Sequence, residues 1–271
     1  MTIGWVANLS LLFTELPLLE RPAAAAAEGF EEVELWWPWD GDPRPAGHDV
    51  EALVERILDA GVRLTAMNLF AGRMAGGDRG VASHPGRVPD FHAGVDLAVS
   101  LSGRLGTRLF NAPVGRRLTG ASSQAQDRTM VNNLRYAAHA ASAVGGTILI
   151  EPMSGMPDYP VRSTAEALDL LERVREDAPE DGIGLLLDHY HLTTVGADPV
   201  SDLRLAGPDL RHVQLADAPG RGEPGSGTSD LVGFVQALLD SGYTGPVALE
   251  LTPTTTTARA LASWRGAFGV G

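Results

Sequence analysis

The chain has 271 residues and no cysteine, with 21 lysines and arginines against 34 aspartates and glutamates, a net charge of −13. That length holds one large core or two small domains, and the missing cysteines exclude disulfides and thiolate chemistry. The charge disfavours nucleic acid and anionic membrane surfaces as partners, but not a small anionic substrate bound by local charge.

The N-terminal MTIGWVANLSLLF is apolar without a preceding basic region, so it reads as a first strand, Ile3–Ala7, and not as a signal peptide. No apolar run reaches the roughly 20 residues that span a bilayer, and the expected compartment is the cytoplasm. A helix is predicted from Pro17 to Gly29, proline being favourable at a first helical position. Val33–Trp37 is the second strand and Val50–Ala60 the next helix. Arg63–Leu69 is the third strand. The glycine-rich segment Ala71–Pro89 reads as a polar lid carrying Arg73, Asp78, Arg79, His84 and Arg87, because long loops inside compact domains are usually functional or disordered. Helical spacing follows over Phe91–Leu105, then a strand over Thr107–Phe110 and a long helix over Gln124–Val144. Thr147–Ile150 is the fifth strand; Ser163 or Thr164 caps a helix that ends near Ala178. Gly184–Leu187 and His212–Ala216 are further strands, Leu231–Leu239 a helix, Val247–Leu249 the last strand and Ala258–Phe268 the last helix. Eight strands alternating with helices at gaps of roughly 28–44 residues suit βα units. With no linker marking a boundary, the whole of 1–271 is expected to form a single (β/α)₈ barrel, an α/β fold with its active site at the C-terminal strand ends. An open doubly wound sheet is the alternative; its dinucleotide-binding form lacks support, since no GxGxxG turn follows the first strand.

Four apolar strands end in, or carry, polar residues: Glu151 after TILI, Asp188 after GLLL, Gln214 within HVQLA and Glu250 after VAL. Alternation puts His212, Gln214 and Ala216 on one face of their strand. Any one carboxylate could cap a helix or pair with an arginine. Three at one mouth would repel one another unless a cation sat among them, and oxygen donors suit Mg²⁺ or Mn²⁺. His191, three residues beyond Asp188, is placed to meet a substrate oxygen. Arg221, between glycines, can offer a bidentate fork to a carboxylate or pair with Glu223. Trp36 and Trp37 fall on opposite faces, and together with Trp39 are divided between core and pocket wall. No nucleophile elbow, P-loop or zinc-protease signature appears.

The stretches WVANLSLLFTELPLLER, ELWWPWD, GDRGVASHPGR, LIEP, DHYHL, HVQLADAPGRGEPGSG and ALEL resemble the hydroxypyruvate isomerase family, within the wider xylose-isomerase-like barrels that include ketose 3-epimerases. The likeness covers nearly the whole chain, and residues 211–227 are its most specific part. It implies a divalent metal held by Glu151, Asp188, Gln214 and Glu250. The two glutamates would also act as the acid–base pair, with Glu250 placed marginally ahead of Glu151 as the abstracting base. His191, Arg221 and Asn8 would contact substrate. The chain departs from the family pattern in EPMSGMPDYP, shorter than the EPINTRDMPGY type, and in Thr193 and Thr228, where glutamine and glutamate are frequent.

The expected activity is therefore conversion of hydroxypyruvate to tartronate semialdehyde through an enediolate, with no nucleotide or organic cofactor. A 2-oxo-tetronate isomerase or ketose 3-epimerase on the same site is the nearest rival. A noncatalytic sugar-acid binder and an AP endonuclease-like phosphodiesterase are the more distant ones. The expected partner is a small hydroxy-keto acid or sugar-derived substrate, with no nucleic acid or membrane; a homo-oligomer is left open, as is whether Leu12, Trp36 and Trp37 face a second copy.

Overall fold

The computed structural model describes residues 3–270. In chain order the strands are β1 (Gly4–Asn8), β2 (Glu32–Leu35), β3 (Arg63–Asn68), β4 (Leu109–Asn111), β5 (Thr147–Ile150), β6 (Ile183–Asp188), β7 (Leu210–Leu215) and β8 (Pro246–Leu249). Between and after them lie α1 (Arg21–Ala27), α2 (Gly47–Asp59), α3 (Val88–Leu105), α4 (Ser123–Ser142), α5 (Thr164–Arg175), α6 (His189–Thr194), α7 (Pro199–Ala206), α8 (Leu231–Asp240) and α9 (Thr257–Phe268). Each strand pairs in parallel with the next, and β8 pairs back to β1, closing the expected (β/α)₈ barrel. Parallel strands covered by helices must be apolar on both faces, and β6, IGLLLD, is buried along its whole length.

The departures from the predicted elements have local causes. The first helix breaks into a 3₁₀ turn, Leu18–Glu20, followed by α1. Pro22, which lacks an N–H, cannot continue a helix begun at Pro17 and instead occupies the first turn of a new one. Pro89 plays the same part in α3, so that helix starts at Val88, inside the predicted loop. Ser163 is the α5 cap: its hydroxyl accepts the Glu166 N–H and the Glu166 carboxylate accepts the Ser163 N–H. Helices α6 and α7, which periodicity does not reveal, are capped by the side chains of Asp188 and Asp198.

The 71–89 segment is not uniformly a lid. Val81, Ala82, Ser83 and His84 are buried. The Ser83 N–H donates to the Val114 carbonyl at 2.8 Å, the Asn133 amide donates to the Ala82 carbonyl at 2.8 Å, and the His84 ring meets the Arg116 carbonyl at 2.9 Å. Only its first half, with Met74, Gly77 and Arg79, borders the cavity that Glu151 and Glu250 line. Leu12 and Trp37 lie in the core, which removes them as contacts for a second copy, whereas Trp36 faces the cavity.

Candidate active site

All eight strands deliver a polar side chain to one end of the barrel. Asn8, Asn68, Asn111 and Asp188 are the last residues of β1, β3, β4 and β6, Glu34 and Gln214 are next to last in β2 and β7, and Glu151 and Glu250 directly follow β5 and β8. The strand register pairs Asn8 with Glu34, Asn68 with Asn111, and Asp188 with Gln214. This is the C-terminal end, where barrel active sites are built. A cavity of about 450 Å³ opens onto it, lined by Trp36, Arg79, Glu151, His191, Arg221 and Glu250 among others.

The three strand-end carboxylates are buried. Asn111 donates its amide to Glu151 Oε2 at 2.7 Å. Asp188 Oδ1 accepts the Tyr190 N–H at 2.8 Å, while Oδ2 accepts Arg221 Nη2 at 2.8 Å. The same Nη2 donates to Glu250 Oε1 at 2.6 Å, and Asn8 Nδ2 donates to Glu250 Oε2 at 3.2 Å. Burial pushes the Glu151 pKa up to about 8, with the neighbouring Asp188 charge adding to it. Burial likewise holds Glu250 well above the ordinary carboxylate range, with Arg221 opposing the rise. Glu151, Asp188 and His191 each offer a ligand atom within 4.8 Å of the others, an arrangement that can hold a metal ion.

A layer behind these carboxylates fixes their partners. Glu34, buried in β2, accepts hydrogen bonds from Asn8 Nδ2 at 2.7 Å and Gln214 Nε2 at 2.9 Å, and meets His212 Nε2 at 2.6 Å. Burial works against its charge, but His212 and the two amides outweigh it and hold the pKa below the ordinary value. With Nε2 of Gln214 tied to Glu34, its buried Oε1 accepts no hydrogen bond. A buried amide oxygen without a donor, in one ring with carboxylates that burial drives toward protonation, is what a hard cation relieves. The donor set therefore fits a divalent ion.

His191 has a defined tautomer. The Ser154 backbone N–H donates to His191 Nδ1 at 3.2 Å, and the Ser154 hydroxyl lies 2.7 Å from the same nitrogen. An N–H can only donate, so Nδ1 carries the lone pair and Nε2 carries the proton. Burial lowers the His191 pKa and keeps the ring neutral. Nε2–H then faces Glu151 Oε1 at 3.6 Å and Asp188 Oδ2 at 3.7 Å. This favours His191 as a hydrogen-bond donor over a metal ligand, which would need a free pair on Nε2. Ser154 belongs to the EPMSGMPDYP segment, so the loop after β5 supplies a group that orients the histidine. His189 turns away and packs against Phe234 with ring centroids 5.0 Å apart.

The 217–229 loop places Arg221 at the cavity. Asp217 accepts N–H bonds from Gly225, Gly227 and Ser229, each at 2.9 Å. Burial raises its pKa, yet these amides outweigh the effect and hold it low. Arg221 itself has φ of 58°, and its guanidinium lies 5.2 Å from the centre of the Tyr190 ring. The sequence alternative of an Arg221–Glu223 pair is not formed: Glu223 accepts from Thr254, and Arg221 joins Asp188 to Glu250.

The structure thus brings Glu151, Asp188, His191, Arg221 and Glu250 together, with Gln214 in the layer beneath. Asn8, expected at the substrate, is fully buried, and its amide holds Glu34 and Glu250. Sequence reading missed Glu34, His212, Asn68, Asn111 and Ser154 as site residues. The first four had a signal, a polar residue at or near the end of a mainly buried strand, but Glu34 and His212 share their strands with other polar residues. Thr194, and not Thr193, borders the cavity, and Thr228 bonds back to Ala218 through its N–H.

Comparison with known proteins identifies the family. The profile of the xylose isomerase-like TIM barrel matches residues 22–267. A putative hydroxypyruvate isomerase of Streptomyces coelicolor is 43% identical over 91% of this chain and 89% of its own length. The hydroxypyruvate isomerase of Escherichia coli is 34% identical over 94% and 95%. A crystal structure from Brucella melitensis, of a protein named AP endonuclease, family 2, superposes with a TM-score of 0.86 at 31% identity, covering 98% of this chain and 99% of that one. The chain belongs to the xylose isomerase-like TIM barrel family and, within it, to the hydroxypyruvate isomerases.

Proposed function

We propose that the chain interconverts hydroxypyruvate and tartronate semialdehyde through an enediolate, using Glu151 and Glu250 as the acid–base pair. The observation that carries this reading is that two buried glutamates from β5 and β8 border one cavity, so a small substrate can meet a carboxylate on two sides. One divalent cation, magnesium or manganese, would be held by Glu151, Asp188, Gln214 and Glu250, and when bound it supplies Lewis acidity toward the substrate's carbonyl and hydroxyl oxygens. One glutamate takes the proton from the hydroxyl-bearing carbon. The other serves the proton transfers at the oxygens and the former carbonyl carbon, so atoms and electrons balance within the substrate and the redistribution is internal. His191 donates its Nε2–H to a substrate oxygen, and Arg221 flanks the same oxygens. Asn8, Asn111 and Glu34 hold the reacting groups in place.

A four-carbon 2-oxo-tetronate is the second reading, favoured by a cavity of about 450 Å³, roomier than a three-carbon acid requires. A phosphodiesterase acting on DNA would want a basic groove, but the chain carries −13, and two of the three arginines at the cavity are paired with carboxylates. The test is to incubate purified protein, reconstituted with Mn²⁺ or Mg²⁺, with hydroxypyruvate, 2-oxo-tetronates and ketoses. Tartronate semialdehyde should form from hydroxypyruvate, chelation should abolish it and added metal restore it. Turnover of a different member of the panel alone would reassign the substrate, and full activity in protein shown by elemental analysis to be metal-free would defeat the metal-dependent mechanism.

A further inference from the structure

Three arginines border the catalytic cavity, and they differ in how their charge is used. Arg221 bridges Asp188 and Glu250. Arg116 holds Asp158 through Nε, at 3.0 and 2.9 Å to its two oxygens. Arg79 has no carboxylate partner among the described residues; its Nη1 donates only to the carbonyls of Met74, at 3.1 Å, and Asp78, at 2.6 Å. Those two bonds fix the guanidinium from one side and leave the Nε–Nη2 edge without a protein acceptor.

The stem of Arg79 is anchored as well. Gly80 has φ of +109°, and a Cβ there would lie 1.9 Å from the Pro113 carbonyl oxygen. Only glycine allows this contact between the 71–87 segment and the loop after β4. The Gly80 N–H donates to the Ala71 carbonyl at 2.9 Å, and Gly80 forms a β-bridge with Val114. Arg79 is therefore held at the cavity wall, with an open, planar, cationic edge.

The charge balance of the site gives that edge a purpose. The three carboxylates Glu151, Asp188 and Glu250 are matched by Arg221 together with a divalent ion, so this cluster has no surplus positive charge for an anionic substrate. We propose that Arg79 is the anchor for the substrate carboxylate, its Nε–Nη2 edge donating to the two carboxylate oxygens as a fork. The inference rests on the isomerase reading above and assigns the acid end of the substrate to a residue distinct from Arg221. It makes the enzyme selective for 2-keto acids over neutral ketoses carrying the same carbonyl and hydroxyl groups.

The experiment compares wild type, Arg79→Gln and Arg79→Lys as metal-reconstituted proteins. It measures KM and kcat for hydroxypyruvate and the inhibition constant of dihydroxyacetone, which replaces the carboxylate with a neutral hydroxymethyl group. Arg79→Gln should raise KM by about 10–100-fold, the usual worth of a hydrogen bond to a charged group, with a smaller change in kcat. Arg79→Lys should recover part of the loss, and the dihydroxyacetone constant should stay within about twofold in both variants. An unchanged KM, or a parallel rise for acid and neutral ligand as expected if Arg79 only braces its loop, would overturn the assignment. Wild type that leaves hydroxypyruvate untouched would count against the proposed function alone. The anchor is then decided by calorimetric binding of D-glycerate: a loss of about 10–100-fold in Arg79→Gln supports it, and equal affinity, or no binding to wild type, overturns it.

Discussion

Replacing Glu34 by glutamine tests whether the layer beneath the cavity orients the metal ligands. Glu34 is buried, borders no large cavity and touches three groups: Asn8 Nδ2, Gln214 Nε2 and His212 Nε2, at 2.7, 2.9 and 2.6 Å. An amide side chain keeps a single acceptor oxygen and turns its NH₂ toward a donor that previously had a partner. At least one charged hydrogen bond is lost, about 1.5–3 kcal/mol, and the Gln214 amide is free to flip its nitrogen toward the carboxylates. That energy equals about 10–100-fold in affinity, the range seen when outer partners of metal ligands are removed. Mn²⁺ affinity, measured by competition with a chromogenic chelator, should therefore fall by about 10–100-fold, and much of the activity should return at saturating metal. Affinity within about twofold of wild type in a folded Glu34→Gln protein would refute the positioning role.

Two further perturbations follow from the same geometry. Asp217→Asn should lower unfolding stability by about 2–4 kcal/mol in denaturant melts, because three loop N–H groups share its carboxylate and an amide cannot accept all of them; unchanged stability would show that the loop does not depend on it. Glu151, with its pKa raised to about 8, and Glu250, also raised, favour the protonated form in the metal-free fold. Their contribution to stability is present below the unfolded carboxylate pKa and is lost as pH rises toward about 8. The lowered pKa values of His189 and His191 act in the opposite sense over part of this range, so the readout is the stability gap between manganese-loaded and chelated protein. That gap should widen from pH 5 to pH 8, with protons released on metal binding in calorimetry; a constant gap and no release would contradict the raised carboxylates.

The parts of the fold legible in the sequence were those with local causes. TILI is a strand because aliphatic residues cover both its faces, and its predicted bounds, Thr147–Ile150, are the observed ones. Glu151, Asp188 and Glu250 announced themselves as charges ending such runs. Glu34 carried the same signal, but it alternates with Glu32 in EVEL beside a cluster of tryptophans. Which of those faces turns inward is settled by barrel closure and by His212, 178 residues away. Ser154 gave no signal, since its contact with His191 exists only once β5 and α6 are neighbours. The 71–89 segment has a lid's composition, yet the close approach permitted by Gly80 and the buried run Val81–His84 tie half of it down. Glycine marks both hinges and tight contacts, and only the tertiary partner distinguishes them.

Solvent exchange separates the roles proposed for Glu151 and Glu250 in the two proton transfers. Wild type, Glu151→Gln and Glu250→Gln are incubated with hydroxypyruvate in D₂O at saturating metal, with occupancy checked by elemental analysis. Deuterium in recovered substrate and product formation are then followed separately. Each variant should lose at least about 10²-fold in turnover, as expected for removal of a placed acid or base. One of them should also lose exchange at the hydroxyl-bearing carbon, while the other retains exchange but fails to form product. Near-wild-type exchange and turnover in both fully metal-occupied variants would contradict the two-glutamate mechanism.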